Sequence, residues 1–167
     1  ILLNRNIAER VMSIAPFLSY DADPYIVTVD GKLYWIMDAM TTTDKYPYST
    51  PYSAYGMNYI RNSIKVVVDA YDGDVTFYVV DENDPIAMAY ASIYPKLFKM
   101  RSEMPAEILS HIRYSETLFN IQAEVYQNYH MEDTGVFFNK EDVWELATQY
   151  YETDQNVRVS PTYLIMK

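Results

Sequence analysis

The spacing of hydrophobic and polar residues changes along the chain, and each change predicts where a helix or a strand lies. In residues 1–15, ILLNRNIAERVMSIA, apolar side chains such as Ile7, Val11 and Ile14 recur at three- and four-residue intervals. This spacing places them on one face of a helix. We therefore predict an N-terminal helix over residues 1–15 that ends at Pro16, because proline cannot continue it.

Two stretches within residues 24–81 are rich in β-branched and aromatic residues, and each surrounds an Asp-Gly pair. The first pair begins at Asp30 and the second at Asp72. Asp-Gly favours the two-residue turn of a β-hairpin because both residues tolerate a positive φ. The pattern predicts two hairpins that join in one antiparallel sheet and are separated by a long tyrosine-rich loop.

Residues 85–151 have a helical pattern, with apolar stripes and with prolines where helices begin or end. Asn139 and Asp142 are expected to open a last helix that runs through Trp144. A C-terminal strand is predicted over residues 160–166. The expected fold class is α+β, with an antiparallel sheet built from two Asp-Gly hairpins and helices packed on one side.

The charge and the cysteine content exclude several classes of protein. The formal net charge of −10 repels phosphate backbones, so nucleic acid is not an expected partner. Cysteine is absent, which excludes disulfides, thiolate zinc sites and cysteine nucleophiles. No apolar run approaches the roughly 18 residues of a membrane-spanning helix. We expect no cofactor, and we expect that this chain does not itself span a membrane.

The loop between the hairpins contains YPYSTPYSAYGMNY, a sequence with five tyrosines and no charge. Exposed aromatic rings stack on sugars, peptides or partner side chains, whereas buried ones pack a stiff loop onto the sheet. Both interpretations remain open at this point. The candidate binding residues are Trp35, Tyr46, Tyr48, Tyr52, Tyr55 and Tyr59.

Three carboxylates surround the second Asp-Gly turn, at Asp69, Asp72 and Asp74. Carboxylate oxygens on a turn could hold a hard cation such as calcium. Their spacing does not match an EF-hand loop. The alternative is that the Asp-Gly pair makes the turn and the flanking aspartates face water.

The histidines and the glycines give little support to catalysis. His111 lies four residues after Glu107, and His130 lies near other acidic residues, but the zinc motif HExxH is absent. Both histidines are expected at surface or helix-capping positions. Gly-x-Ser-x-Gly and phosphate-binding glycine loops are also absent. We therefore assign no catalytic residue.

Several long segments resemble, in order and over nearly the whole chain, the uncharacterised UPF family of large multipass bacterial membrane proteins. These segments are APFLSYDADPYIVTVDGKLYWIMDA, KYPYS, NYIRNSIKVVVDAYDGDVTFYVVD, SEMPAEILSHIRY and FNIQAEVYQNYHM. The resemblance implies a cluster of transmembrane helices followed by a large soluble region outside the cytoplasmic membrane. It supplies no activity and no site residues. The start at Ile1 and the apolar ending PTYLIMK also favour a piece of a larger protein.

Residues 1–167 are therefore expected to form a single soluble domain or a fragment of a larger extracytoplasmic region. The expected function is that of a non-catalytic interaction or assembly module of a large bacterial integral membrane protein. Its partners would be the rest of the parent protein, neighbouring subunits or an envelope ligand. The alternatives are an enzyme acting on cell-envelope material and a small-ligand or metal-sensing domain. A cleft with converging carboxylates or histidines would favour the enzyme, and an exposed aromatic patch the interaction module.

Overall fold

The computed structural model describes residues 4–52, 56–150 and 156–164. The chain forms two compact units, Ile1–Ser115 and Glu116–Lys167. The first unit contains a sheet and three helices, which confirms the α+β class. Its elements are α1 (Ile7–Ile14), β1 (Ser19–Tyr20), β2 (Tyr25–Val29), β3 (Lys32–Thr43), β4 (Tyr59–Asp69), β5 (Val75–Val79), α2 (Pro85–Ile93), β6 (Phe98–Met100), a 3₁₀ turn (Arg101–Glu103) and α3 (Ala106–Leu109).

The sheet is built around the two long strands β3 and β4. Strands β1 and β2 both pair with β3, and β5 pairs with the other edge of β4, all in antiparallel fashion. Strand β6 pairs with β5 in parallel. The sheet is therefore mixed and not wholly antiparallel as predicted, because the chain crosses over through α2 before it returns as β6.

The two Asp-Gly pairs lie in different connections. Val29 pairs with Lys32, so Asp30 and Gly31 alone join β2 to β3, with φ of 49° and 75°. These angles match the type I′ turn that suits a hairpin. Between β4 and β5, Asp69 N donates to Asp74 O at 2.9 Å. The second Asp-Gly pair therefore lies inside a longer loop.

Helix α1 begins later than predicted because Asn6 caps it. The Asn6 side chain accepts hydrogen bonds from the backbone N–H of Ala8 and Glu9 at 2.9 and 3.4 Å. An N-cap satisfies amide groups that have no partner in the first turn, so it fixes where a helix starts. Residues 1–3 of the predicted helix lie outside the described part.

Helices pack on both faces of the sheet, which corrects the expectation of one side. On one face, α1 and α2 contribute Val11, Ala87 and Ala91 to a core with β3, β4 and β5. On the opposite face, Ile108 of α3 packs with residues of β2, β3, β4 and β5. Adjacent residues of β4, such as Val66 and Val67, point to the two different cores. A strand with apolar side chains on both faces must be covered on both.

The second face also contains a buried ion pair between the two longest strands. Asp38 of β3 lies directly opposite Lys65 of β4, and their exposed fractions are only 5% and 3%. Lys65 Nζ donates to Asp38 Oδ1 and, at 2.9 Å, to the carbonyl oxygen of Arg113. Burial raises the pKa of Asp38, and the Lys65 ammonium offsets this rise only in part. The pair is therefore tolerated at this buried position only because hydrogen bonds satisfy its charged groups.

The segment after α3 closes over this ion pair through polar contacts. The backbone N–H of Arg113 donates to the Tyr25 hydroxyl at 3.1 Å, and its guanidinium lies 4.3 Å from the centre of the Tyr25 ring. Ser115 Oγ donates to Asp21 Oδ2 at 2.7 Å, and both residues are buried. These bonds fix the end of the first unit against its sheet.

The second unit contains α4 (Glu116–Tyr129), α5 (Thr134–Asn139), β7 (Thr148–Tyr150) and β8 (Asn156–Arg158), with β7 and β8 antiparallel. The helix predicted to open at Asn139 does not form. Asp133 caps an earlier helix through the N–H groups of Gly135 and Val136, and Lys140 ends it with a φ of 55°. Residues 160–164 form no strand, and residues 165–166 lie outside the described part.

We predict that Lys65→Met lowers the free energy of unfolding by about 3 to 5 kcal/mol, because Asp38 is then buried without its partner. The double variant Asp38→Asn with Lys65→Met should recover much of that loss. Urea denaturation of the three proteins measures both effects. Equal losses in the single and the double variant would contradict the importance of the pairing.

Candidate functional site

The tyrosine-rich loop joins β3 to β4, and one side chain, Asn58, holds it in shape. Asn58 Oδ1 accepts from Tyr46 N at 2.9 Å, and Nδ2 donates to the carbonyl oxygens of Tyr46 and Ser49 at 2.7 and 3.2 Å. Ser49 Oγ returns a bond to Asn58 O at 2.8 Å, and Asn58 N donates to Thr43 O at 3.0 Å. Local hydrogen bonds therefore order the described part of the loop.

The loop presents its tyrosines to different degrees. Tyr48 is fully exposed, at 110% of the reference area, and it has a positive φ of 59°. This conformation is uncommon for a bulky residue, so the surrounding bonds must maintain it. Tyr46 is 48% exposed and Tyr52 is half-buried. Tyr55 lies outside the described residues.

Two of the predicted aromatic residues meet at the base of the loop. The rings of Tyr46 and Tyr59 stack with centroids 5.1 Å apart and an interplanar angle of 23°. The Tyr59 hydroxyl donates to Asp84 Oδ1 at 2.6 Å. Tyr59 thus packs the loop against the sheet, while Tyr46 covers it from the solvent side.

Trp35 is not part of this group. It pairs with Val68 near the start of β3, whereas Tyr59 pairs with Thr43 at the end of the same strand. Eight residues of extended chain separate these positions, a distance of about 26 Å. The structure therefore divides the described members of the predicted aromatic set between the two ends of β3.

Asp84 connects the loop base to helix α2, and it is fully buried. Its carboxylate accepts hydrogen bonds from Thr41 Oγ1, from Ser63 Oγ at 2.6 Å and from Tyr59. It also caps α2 by accepting from Ile86 N at 3.0 Å. One buried carboxylate therefore joins β3, β4, the loop base and a helix N-terminus.

Hydrogen bonding decides the charge state of Asp84. Burial alone would raise its pKa, but the bonds from Ser63, Thr41, Tyr59 and Ile86 outweigh burial and hold the pKa below the ordinary value of 3.8. The pKa of Tyr59 rises, first because the phenol is desolvated and then because it donates to Asp84. The pair is thus a charged carboxylate with a neutral phenol.

The predicted calcium ligands support the loop between β4 and β5. Asp69 Oδ1 accepts from the backbone N–H of Tyr71 and Asp72 at 2.8 and 3.3 Å, and Asp72 Oδ1 accepts from Asp74 N at 3.2 Å. These bonds are typical of aspartate in turns. Metal binding by Asp69, Asp72 and Asp74 stays a prediction.

Within residues 4–52, 56–150 and 156–164, no group of three or more acidic or histidine side chains could hold a metal ion. His111 belongs to the first unit and His130 to the second. His130 stacks on Trp144, with ring centroids 4.1 Å apart, and its Nε2 lies 3.6 Å from Asp142 Oδ2. This geometry describes a packed histidine beside a carboxylate.

Sequence reasoning missed the residues that shape the loop, Asn58 and Asp84. Asp84 had a local signal, because an aspartate directly before a proline is typical of an N-cap followed by a first-turn proline. Its three hydroxyl donors come from distant parts of the chain and leave no local pattern. Asn58 lies next to the tyrosine run, but its bonds depend on the folded path of the loop.

Together, the fold and the loop define an α+β module that presents aromatic side chains on a loop whose described residues are held by local hydrogen bonds. Among the described helices, none is long and apolar enough to cross a membrane. The family model described as "Uncharacterised protein family (UPF0182)" matches residues 1–167. The chain belongs to this family.

The relatives are much longer than this chain. A UPF0182 protein of Methanospirillum hungatei is 53% identical over 170 residues, which cover 99% of this chain and 19% of the relative. One from Clostridium acetobutylicum is 54% identical over 168 residues, covering 100% of this chain and 18% of the relative. The chain thus spans about a fifth of the length of the curated relatives it matches. No solved structure matches it.

We predict that Asp84→Asn lowers the free energy of unfolding at neutral pH by about 2 kcal/mol, because charge-assisted hydrogen bonds are lost. The folded-state pKa of Asp84 is lowered, so its stabilisation is present above pH 3.8 and is lost as the pH falls through the folded pKa. The difference in the free energy of unfolding between the variant and the native protein should therefore shrink below pH 3.8. Urea denaturation across this range measures it.

Asp81→Asn is the matched control, because Asp81 forms an exposed ion pair with Arg61 at 3.3 Å. Exposed pairs contribute about 0 to 1 kcal/mol, so this variant should change stability little. A difference for Asp84→Asn that stays constant down to the lowest pH would contradict the ionised state of Asp84.

Proposed function

We propose that this chain is a non-catalytic interaction or assembly module of a larger membrane protein, and that the tyrosine-rich loop is its contact surface. The observation that carries the proposal is Tyr48, a fully exposed ring on a loop held by the side chain of Asn58. Exposed tyrosines on a fixed backbone are a common type of binding anchor.

The fixed backbone on both sides of Tyr48 favours binding over mere exposure. Hydrogen bonds from Asn58 fix the backbone of Tyr46 and Ser49, on either side of Tyr48, before any partner arrives. Less conformational entropy is then lost when a partner contacts the ring. The base of the loop is equally well held, since Tyr59 links it to the buried Asp84.

The length of the relatives supports a partner within the same protein. The matched region is about 19% of the Methanospirillum hungatei relative, so most of that protein lies outside it. We propose the rest of the parent protein or a neighbouring subunit as the principal partner, with an envelope ligand as an alternative. The metal-sensing alternative requires a cluster of metal ligands, and the described residues contain no group of three or more acidic or histidine side chains that could hold a metal ion.

We further propose that the parent is a multipass protein of the cell membrane and that this region lies outside the cytoplasm. The similarity of the chain to long members of its family supports a large parent. The absence of cysteine is compatible with either side of a membrane, so the location needs a direct test.

The contact surface can be tested by placing the photo-crosslinker p-benzoylphenylalanine at position 48 of the complete protein. Illumination should join this position to peptides outside residues 1–167, because the exposed ring contacts the remainder of the assembly. Mass spectrometry identifies the joined peptides. The added substitution Asn58→Ala should reduce the yield severalfold, since a loosened loop no longer holds the ring in place.

Tyr71 provides the matched control, because it is also an exposed tyrosine, at 66%, in the loop between β4 and β5. The same crosslinker at position 71 should give few cross-links to the rest of the protein. Equal yields from positions 48 and 71, or cross-links from position 48 only within residues 1–167, would count against the loop as the contact surface.

The location can be tested with Lys96→Cys in the complete protein, because Lys96 is exposed and this chain has no cysteine of its own. A membrane-impermeant maleimide should label the new cysteine in intact cells as fully as in lysed cells. The protein without the substitution gives the background. Labelling that appears only after lysis would place this region in the cytoplasm and contradict the proposal.

A further inference from the structure

A groove of about 350 Å³ lies in the first unit, at the opposite end of β3 from the tyrosine-rich loop. Its apolar surface comes from Ile7, Trp35, Val68 and Ala70. Its volume is within the range of small-molecule sites, which begins at about 300 Å³. The remaining lining residues are Arg5, Arg10, Asp69, Tyr71, Asp72 and Gly73.

Arg10 is fixed at the groove by the loop between β4 and β5. Its Nη1 donates to the carbonyl oxygen of Gly73 at 2.6 Å, and its Nε donates to Asn4 O at 3.1 Å. Gly73 has a φ of +78°, and a Cβ atom there would lie 1.8 Å from Arg10 Nη1. Only glycine therefore leaves room for the guanidinium here, and the two hydrogen bonds hold the arginine in place before any ligand binds.

The two arginines of the groove keep hydrogen-bonding capacity. Within the described residues, neither Arg5 nor Arg10 forms an ion pair. The carboxylates that share the groove, Asp69 and Asp72, accept bonds from backbone N–H groups of their own loop. A guanidinium has five N–H groups, and the two bonds of Arg10 to backbone oxygens leave several for a ligand.

We propose that this groove binds a small organic anion that carries one carboxylate next to a flat apolar group. The carboxylate would accept hydrogen bonds from Arg5 and Arg10, whose planar guanidinium groups match its geometry. The apolar group would pack between Trp35 and Tyr71. This site is separate from the tyrosine-rich loop and does not rest on the proposed contact function.

The charges around the groove select a monoanion. Two aspartates line it, and the whole chain has a formal net charge of −10. Each additional negative charge on a ligand would be repelled by this field. A phosphate or a polyanion is therefore less suited to the groove than a single carboxylate with an apolar part.

Phenylacetate is the probe, and the emission of Trp35 is the signal. The chain has two tryptophans, so Trp144→Phe gives a background in which Trp35 alone reports. Phenylacetate should change the emission in a saturable manner, with a dissociation constant on the order of 1 mM or tighter. Isothermal titration calorimetry of the unsubstituted chain checks the same constant. Phenylacetamide, which lacks the charge, and phenethylamine, which carries the opposite charge, should give no saturable change in the Trp35 emission.

Arg5→Gln is the decisive variant, since Arg5 is exposed and makes no hydrogen bond among the described residues, so the fold should be kept. It should raise the dissociation constant for phenylacetate about fivefold. Lys96→Gln removes a positive charge that does not line the groove and should leave the constant unchanged. Circular dichroism confirms that both variants are folded.

Three results would overturn the assignment. The first is the absence of saturable binding of phenylacetate, and the second is an equal dissociation constant in Arg5→Gln and Lys96→Gln. The third is competition by inorganic phosphate at the same concentration as phenylacetate, because it would mean that the apolar part of the ligand contributes nothing.

Discussion

The buried pair of Lys65 and Asp38 is the constraint on which the arrangement of the sheet depends. The two residues lie directly opposite each other on the two longest strands. If either strand slipped by one residue, its charged side chain would move to the other face, into the apolar core under α1 and α2, and the partner charge would stay buried and unpaired. A slip of β4 would also separate Lys65 from the carbonyl oxygen of Arg113, which fixes the segment after α3. The pair therefore specifies one register at the cost of desolvating two charges.

Asp84 fixes the base of the tyrosine-rich loop, as Lys65 fixes the register of the sheet. Its single buried carboxylate accepts hydrogen bonds from the hydroxyl groups of Thr41, Tyr59 and Ser63, and it also caps the N-terminus of helix α2. The end of β3, the start of β4 and the helix are therefore fixed relative to one another. Because this base is rigid and Asn58 holds the backbone of Tyr46 and Ser49, Tyr48 is exposed on a backbone that is fixed on both sides of it.

The parts of the structure that could be predicted from sequence are those that depend on neighbouring residues. The turn at Asp30 and Gly31, the α+β class and the N-terminal helix all follow from local patterns. The crossover that makes β6 parallel to β5 does not, because a strand's partner depends on the path of the whole chain. For the same reason, the contact of Arg10 with Gly73 could not be predicted from the sequence, since the two residues lie 63 positions apart. For the site, the tyrosines could be recognised in the sequence, but the division of those described into half-buried, stacked and exposed positions depends on Asn58 and Asp84.

The two candidate sites lie at opposite ends of β3, and this separation follows from the length of the strand. Twelve residues of β3 extend about 40 Å, so a partner on Tyr48 need not cover the groove near Trp35. Both sites are nevertheless attached to the same pair of strands, β3 and β4. That pair is covered on both faces by packed side chains and joined by the buried Lys65 and Asp38. A densely packed sheet resists continuous deformation, so the two sites should act independently unless a ligand changes the register of the strands themselves. The energy of the buried ion pair opposes such a change, which makes independent binding at the two ends the expected behaviour.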